Sequence, residues 1–191
     1  CVSCFTFWKC PQVTTDMSPT KKTAYVNAFI ESVIEAFESM IAARPHRTHV
    51  AATVELDTGY GSASVGAMVM TTCGPMILCF SRPVAIRIMS ELTGVQVEEL
   101  NNDVLDGTRE LANILTGSAK NRLSSQGMEI EFQLPQTRLG AFMRVDSKPN
   151  DYWITVQFEC DAGQFFIQVP FQEKFFEEQA GRKPEAQTVQ T

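Results

Sequence analysis

Asn102-Asp103-Val104-Leu105-Asp106-Gly107-Thr108-Arg109-Glu110-Leu111-Ala112-Asn113-Ile114-Leu115-Thr116-Gly117 is the stretch from which the fold is read. At about 100° per residue, Val104, Leu111, Ile114, Leu115 and Ala119 fill one broad arc, with the small Ser118 among them. Asp106, Glu110 and Asn113 fall within roughly 60° of each other on the opposite side. Gly117 and Ser124 continue that side. The spacing predicts a helix from about Asn102 to Ser125, capped by Asn102 or Asp103. It buries one face and shows a carboxylate–carboxylate–amide row on the other.

Upstream, a first long helix starts near Tyr25. Val26, Phe29, Ile30, Val33, Ile34, Phe37, Met40 and Ile41 recur at three and four, and Arg44-Pro45 ends it. A strand follows over His49–Leu56, with Val50, Ala52, Val54 and Leu56 on one side. Residues Asp57 to Ser62 read as a loop; Gly59-x-Gly61 opens no helix and is a turn rather than a phosphate loop. Two strands, Ser64–Thr71 and Pro75–Phe80, turn at Thr72-Cys73-Gly74. Pro83–Leu92 is a short helix with Pro near its start and Gly94 after its end. Downstream of the central helix the order recurs. A strand is expected over Met128–Leu134. After a connecting stretch come strands Tyr152–Glu159 and Gln164–Pro170, joined by Asp161-Ala162-Gly163. Cys73-Gly74-Pro75 and Ala162-Gly163-Gln164 occupy corresponding places. The expected class is α+β: a pseudo-symmetric helix–strand–hairpin repeat, with a mainly antiparallel sheet packed against long helices. Residues 1–16 form an extension outside the fold, 17–178 one domain and 179–191 a disordered tail, with a short helix over Gln172–Gln179.

The chain has 191 residues, 44% of them hydrophobic and 20% charged, enough for a sizeable core. Its net charge is −6. That balance argues against nucleic acid, which needs a basic face. No apolar run approaches the ~20 residues of a membrane helix, so no membrane partner is expected. The six cysteines lack a secreted framework and read as reduced thiols of a cytoplasmic protein. Cys1-x-x-Cys4 with Cys10 has no second pair, and His46 and His49 flank a turn, so no metal site is expected. Met68, Met70 and Met76 read as core. No Gly-x-Ser-x-Gly elbow occurs.

Each residue of the polar row has a plain structural explanation. Asp106 favours the positive end of the helix dipole. Glu110 is a good helix former on a solvated face. Asn113 fits less well, because its side chain competes for backbone hydrogen bonds inside a helix.

The row Asp106-x-x-x-Glu110-x-x-Asn113, continuing to Gly117, resembles the signature helix of the CheC/CheX/FliY chemotaxis phosphatases. Tyr25-Val26-Asn27-Ala28-Phe29 with Val33-Ile34-Glu35-Ala36-Phe37 resembles the opening helix of the CheX members, and Leu134-Pro135 also fits. The resemblance runs from about Thr23 to Gln172. It implies hydrolysis of the aspartyl phosphate of a CheY-like response regulator. On that reading the amide of Asn113 positions the attacking water. Glu110 pairs with a lysine of the receiver, and Asp106 and Gly117 lie at the partner contact. A general-base role for Glu110 is the weaker reading. The chain binds no cofactor; Mg²⁺ belongs to the receiver. Related chains often carry Glu-x-x-Asn on both long helices, whereas Glu31-Ser32-Val33-Ile34 ends in Ile, so one site per chain is implied. A homodimer is implied too. The competing readings are a non-catalytic dimeric binding module in signalling or motor control, and a small-molecule-binding α+β domain with a deep pocket. The phosphatase reading requires the Glu110–Asn113 face to be exposed.

Overall fold

The computed structural model describes residues 19–53, 64–139 and 152–181. The expected extension over 1–16, the Asp57–Ser62 loop and most of the C-terminal tail lie outside the described residues. In chain order the elements are α1 (Pro19–Ile41), β1 (His46–Thr53), β2 (Ser64–Thr71), β3 (Gly74–Ser81), α2 (Arg82–Thr93), α3 (Asn102–Ser125), β4 (Gln136–Leu139), β5 (Tyr152–Cys160), β6 (Gly163–Phe171) and α4 (Glu173–Gly181).

The six strands form one sheet in the order β1-β5-β6-β3-β2-β4, every pair antiparallel. The two hairpins, β2–β3 and β5–β6, meet at the centre through β3 and β6. The repeat read from the sequence is therefore real, with a twist of topology. Each half donates its first strand to the other half's hairpin, β1 lying beside β5 and β4 beside β2. Gly74 and Gly163 turn the two hairpins with φ of 118° and 125°, a region L-residues avoid. The two turns thus share one strained geometry, as their corresponding places imply.

The long helices α1 and α3 pack on one face of this sheet. Their contacts pair Ser118 with Glu35 and Arg122 with Glu31, so they run antiparallel. The apolar arc of α3 is buried as its period requires: Val104, Leu111, Leu115, Ala119 and Leu123 are each no more than 2% exposed. Beneath them, Phe37 stacks on Phe165, which stacks in turn on Phe158. Tyr25 sits among Phe29, Phe171, Phe175 and Phe176 and donates its hydroxyl to the Pro170 carbonyl at 2.8 Å. Each such ring contributes about 1.5–3 kcal/mol by leaving water, and satisfying the phenol removes the cost of burying it. A smaller cluster of Ile77, Cys79 and Phe166 fills the opposite face of the sheet.

Three local readings are corrected. The strand expected at Met128–Leu134 is instead an irregular run with a single bridge, Thr71–Phe132, and the regular strand is Gln136–Leu139. Pro135 lacks the N–H that would continue the ladder, and the pairing with β2 slips across it. The cap of α3 is Asn101, one residue earlier than expected, whose Oδ1 accepts from the Val104 N–H at 3.1 Å. In β1, Val50 and Ala52 do share the helix-facing side, paired with Val156 and Ile154. They are nevertheless exposed, Val50 to 41%, because α1 does not reach over the sheet's last strand. Of the methionines read as core, Met76 is buried and Met68 half-buried, but Met70 is exposed. Helix α2 starts with Pro in its first turn and stops at a left-handed Gly94, as read.

Candidate functional site

The polar row of α3 stands on the outside of the molecule. Asp106, Glu110, Asn113 and Gly117 are all exposed, while Thr108, Leu111, Ala112 and Leu115 between them are buried. The segregation follows from the helical period alone: one side is tied to the core, so the other must face water. Thr108 and Thr116 return their hydroxyls to the carbonyls of Val104 and Ala112, which satisfies them within the helix. Those buried threonines therefore compete with neither Glu110 nor Asn113.

Glu110 and Asn113 lie one turn apart on this face. Neither side chain has a hydrogen-bond or ion-pair partner among the described residues; the Asn113 main-chain carbonyl accepts from the Thr116 hydroxyl at 3.0 Å. Asp106 differs: its carboxylate meets the Arg109 guanidinium at 3.0 Å, both exposed. Gly117 carries no side chain, and a Cβ built there would meet nothing within 4 Å. The surface in front of Asn113 is thus free of obstruction on its C-terminal side. An exposed carboxylate and an exposed amide, unpaired and one turn apart, can together accept from a cation and hold a water.

The corresponding face of α1 is spent differently. By the repeat, Asn27, Glu31 and Ile34 stand where Asp106, Glu110 and Asn113 stand on α3. Ile34 is half-buried and packs on the core. Glu31 accepts from Arg122 at 2.6 Å, and Glu35 accepts from the same guanidinium at 3.0 Å. Hydrogen bonds from Ser118 and then Arg122 hold the Glu35 carboxyl below its usual range. This α1–α3 clamp escaped the sequence reading, since the antiparallel alignment that brings Arg122 to Glu31 leaves no local signal. Its presence, with Ile34, leaves α3 as the one helix with a free Glu-x-x-Asn face among the described residues.

Elsewhere the chemistry is sparse. Among the described residues no three His, Cys, Asp or Glu side chains gather as a metal site. Cys73, Cys79 and Cys160 are not joined in disulfides, and burial pushes the Cys160 thiol up. His46 and His49 are exposed, but both lie within β1 rather than on either side of a turn. No described helix is long and apolar enough to cross a membrane.

A family model described as "Chemotaxis phosphatase CheX" matches residues 65–159, a span that contains the whole polar row. No curated protein matches the chain. Among solved structures, a CheC-like superfamily protein from Shewanella sp. PV-4 shares 22% identity with a TM-score of 0.65, over 82% of this chain and 99% of that one. The chemotaxis protein CheX from Vibrio vulnificus also shares 22%, with a TM-score of 0.62 over 81% and 97%. The CheX of a CheX–CheY–BeF3–Mg²⁺ complex from Borrelia burgdorferi shares 16%, with a TM-score of 0.62 over 78% and 98%. The match to the CheX family model spans the α3 row, and the fold around it is shared with CheC-like structures, so the chain is CheX-like in sequence and in architecture.

Proposed function

We propose that this protein is a phosphatase that hydrolyses the aspartyl phosphate of a CheY-like response regulator. The observation that carries the proposal is the exposed, unpartnered pair Glu110 and Asn113 on the solvent face of α3. An acyl phosphate is already activated, so the catalyst needs little covalent chemistry and mainly has to place a water in line with phosphorus. A rigid helix buried along its other side is a suitable mount, because the amide then arrives pre-oriented. The Asn113 carbonyl oxygen accepts from the water, and its NH₂ donates to a phosphoryl oxygen. Glu110 pairs with a receiver lysine and registers Asn113 over the phosphorus. Asp106, already engaged by Arg109, lies at the edge of the contact, and Gly117 leaves room for the partner. Mg²⁺ is supplied by the receiver. The structural relative that holds CheX with CheY, BeF3 and Mg²⁺ supports a CheY-like partner.

The test is phosphate release from a phosphorylated CheY-like receiver domain. Glu110→Ala and Asn113→Ala should each slow the accelerated reaction on the order of 100-fold, the cost of losing near-attack geometry. Both variants should keep the far-ultraviolet circular dichroism of the parent, since neither side chain is buried. Unchanged rates in both would leave the protein as a non-catalytic binding module. Sedimentation of the parent protein would test the homodimer implied by the family resemblance.

A further inference from the structure

The outward row of α3 does not stop at Asn113. Continuing at about 100° per residue, Gly117, Lys120 and Ser124 stay within roughly 40° of Asn113, and all three are exposed. Lys120 stands two turns beyond Asn113, about 10.5 Å along the axis. Between them Gly117 leaves the helix bare, with open space where a Cβ would be. Past Lys120 the row runs into a recess of about 380 Å³, walled by Ser124, Thr72, Ile130, Glu129 and Glu131.

Two features of this stretch have no explanation in the chain's own packing. The first is Gly117. Glycine weakens a helix interior relative to alanine. Here neither a positive φ nor a close neighbour among the described residues calls for one. The second is Lys120. Helix α3 carries three cations. Arg109 is engaged by Asp106, and Arg122 by Glu31 and Glu35. Lys120 has no ion-pair or hydrogen-bond partner among the described residues. Glu110 is likewise unpaired. The row therefore ends in two free charges of opposite sign, about 15 Å apart along the axis, with Asn113 between them.

A partner seated on this face accounts for both features, and the phosphatase activity proposed above supplies one. A standard interface covers about 800 Å² on each side, a patch roughly 30 Å across. A receiver centred on Asn113 therefore covers Lys120. A lone Glu110–lysine contact leaves the receiver free to turn about it. A second charge at a fixed distance removes that freedom, because complementary pairs set register. The sign fits as well. A surface that holds Mg²⁺ beside a phosphoryl group does so with oxygen ligands, carboxylates among them. To approach a chain of net charge −6, such a surface needs a cation to meet. Glu129 and Glu131 bound the contact, since they repel a carboxylate that strays past Lys120 into the recess.

We propose that Lys120 is a second anchor for the receiver: it pairs with a carboxylate beside the receiver's phosphorylation site and, with Glu110, selects the orientation in which the receiver docks. The proposal rests on the phosphatase reading. Lys120 touches no reacting atom and is a positioning residue. A cation near the C-terminal end of a helix also complements its dipole, but that role moves stability and leaves receiver affinity alone.

The experiment is steady-state phosphate release at varied concentrations of a phosphorylated CheY-like receiver, with a urea midpoint for each variant. Lys120→Ala should raise KM about threefold and Lys120→Glu about tenfold. The kcat should stay within about twofold of the parent, since Glu110 still registers Asn113 once the receiver is seated. Lys120→Arg should keep the parent KM. The parent's KM should rise with salt more steeply than that of Lys120→Ala. Gly117→Gln should raise the urea midpoint and yet raise KM, because its side chain fills the stretch the receiver occupies. Among receiver variants that each exchange one carboxylate near the phosphorylation site for lysine, one should recover Lys120→Glu. An unchanged KM in Lys120→Glu, with Glu110→Ala still impaired, would overturn the anchor and leave the phosphatase reading standing. So would a change in urea midpoint alone, or a raised KM that no receiver variant reverses. Phosphate release that the parent does not accelerate would remove the phosphatase reading, and the anchor with it.

Discussion

Ile34 and Asn113 occupy equivalent places on two antiparallel helices, and the difference between them leaves one helix with a free Glu-x-x-Asn face among the described residues. The limitation has two layers. Ile34 contributes to the core, and Glu31, the partner such a site would need, is engaged by Arg122. Installing the amide alone should therefore be unproductive. Ile34→Asn is expected to leave the phosphate-release rate per chain at the single-site level. It should also lower stability by about 1–3 kcal/mol through lost apolar contact. Comparing initial rates with the urea midpoint checks both parts. At this scale the exposure of the candidate row was legible: Asp106, Glu110, Asn113 and Gly117 face outward as the 100° period places them. The pairing of Asp106 with Arg109 was also within reach of the sequence, being a three-residue spacing on one helix. The Arg122 clamp was not, because it joins residues more than 80 apart in the chain.

The elements divide by whether their signals are local. Helix α3 was read with its observed bounds, because a long amphipathic period with a polar start leaves little freedom. The central hairpins were read from their turn glycines. Gly163 shows why: its φ is 125°, and a Cβ there would lie 2.7 Å from Val84 Cγ2 of α2. Gly163→Ala must strain the turn and push α2 together, so a loss of about 1–3 kcal/mol is expected in urea denaturation. Strand β4 was misplaced because Met128, Ile130 and Phe132 alternate like a strand. Alternation says that a segment is extended with one side buried. It does not say that its backbone finds a ladder, and the missing N–H of Pro135 decides that question. Strand β1 carries the related lesson. Its apolar side was identified correctly, yet period two cannot report whether a helix lies above it.

For the whole molecule, the ends of the described chain meet at Glu173. Its carboxylate accepts from Lys22 of α1 and from the Tyr152 hydroxyl of β5, tying α4 to the sheet and the first helix. Burial works to raise the Glu173 carboxyl, but hydrogen bonds from Lys22 and Tyr152, with the Lys22 charge, hold it below 4.5. A carboxyl depressed in the folded state stabilises fully above its unfolded value and loses that contribution as pH falls through its folded value. Glu173→Gln should therefore be less stable than the parent at pH 6–7. The difference should shrink as pH falls below 4.5, in matched urea titrations. The exchange of first strands between halves was invisible in the sequence, since neither periodicity nor turn chemistry names a strand's partner. That exchange has a consequence for synthesis. His46 of β1 waits for Glu159 of β5, which leaves the ribosome more than a hundred residues later. Until then the first half carries an unpaired strand and a hairpin open on both edges, the exposures that invite association between nascent chains. The second half supplies β4 to β2 first, then β5 to β1 and β6 to β3, so the last strands made close a sheet that neither half can finish alone.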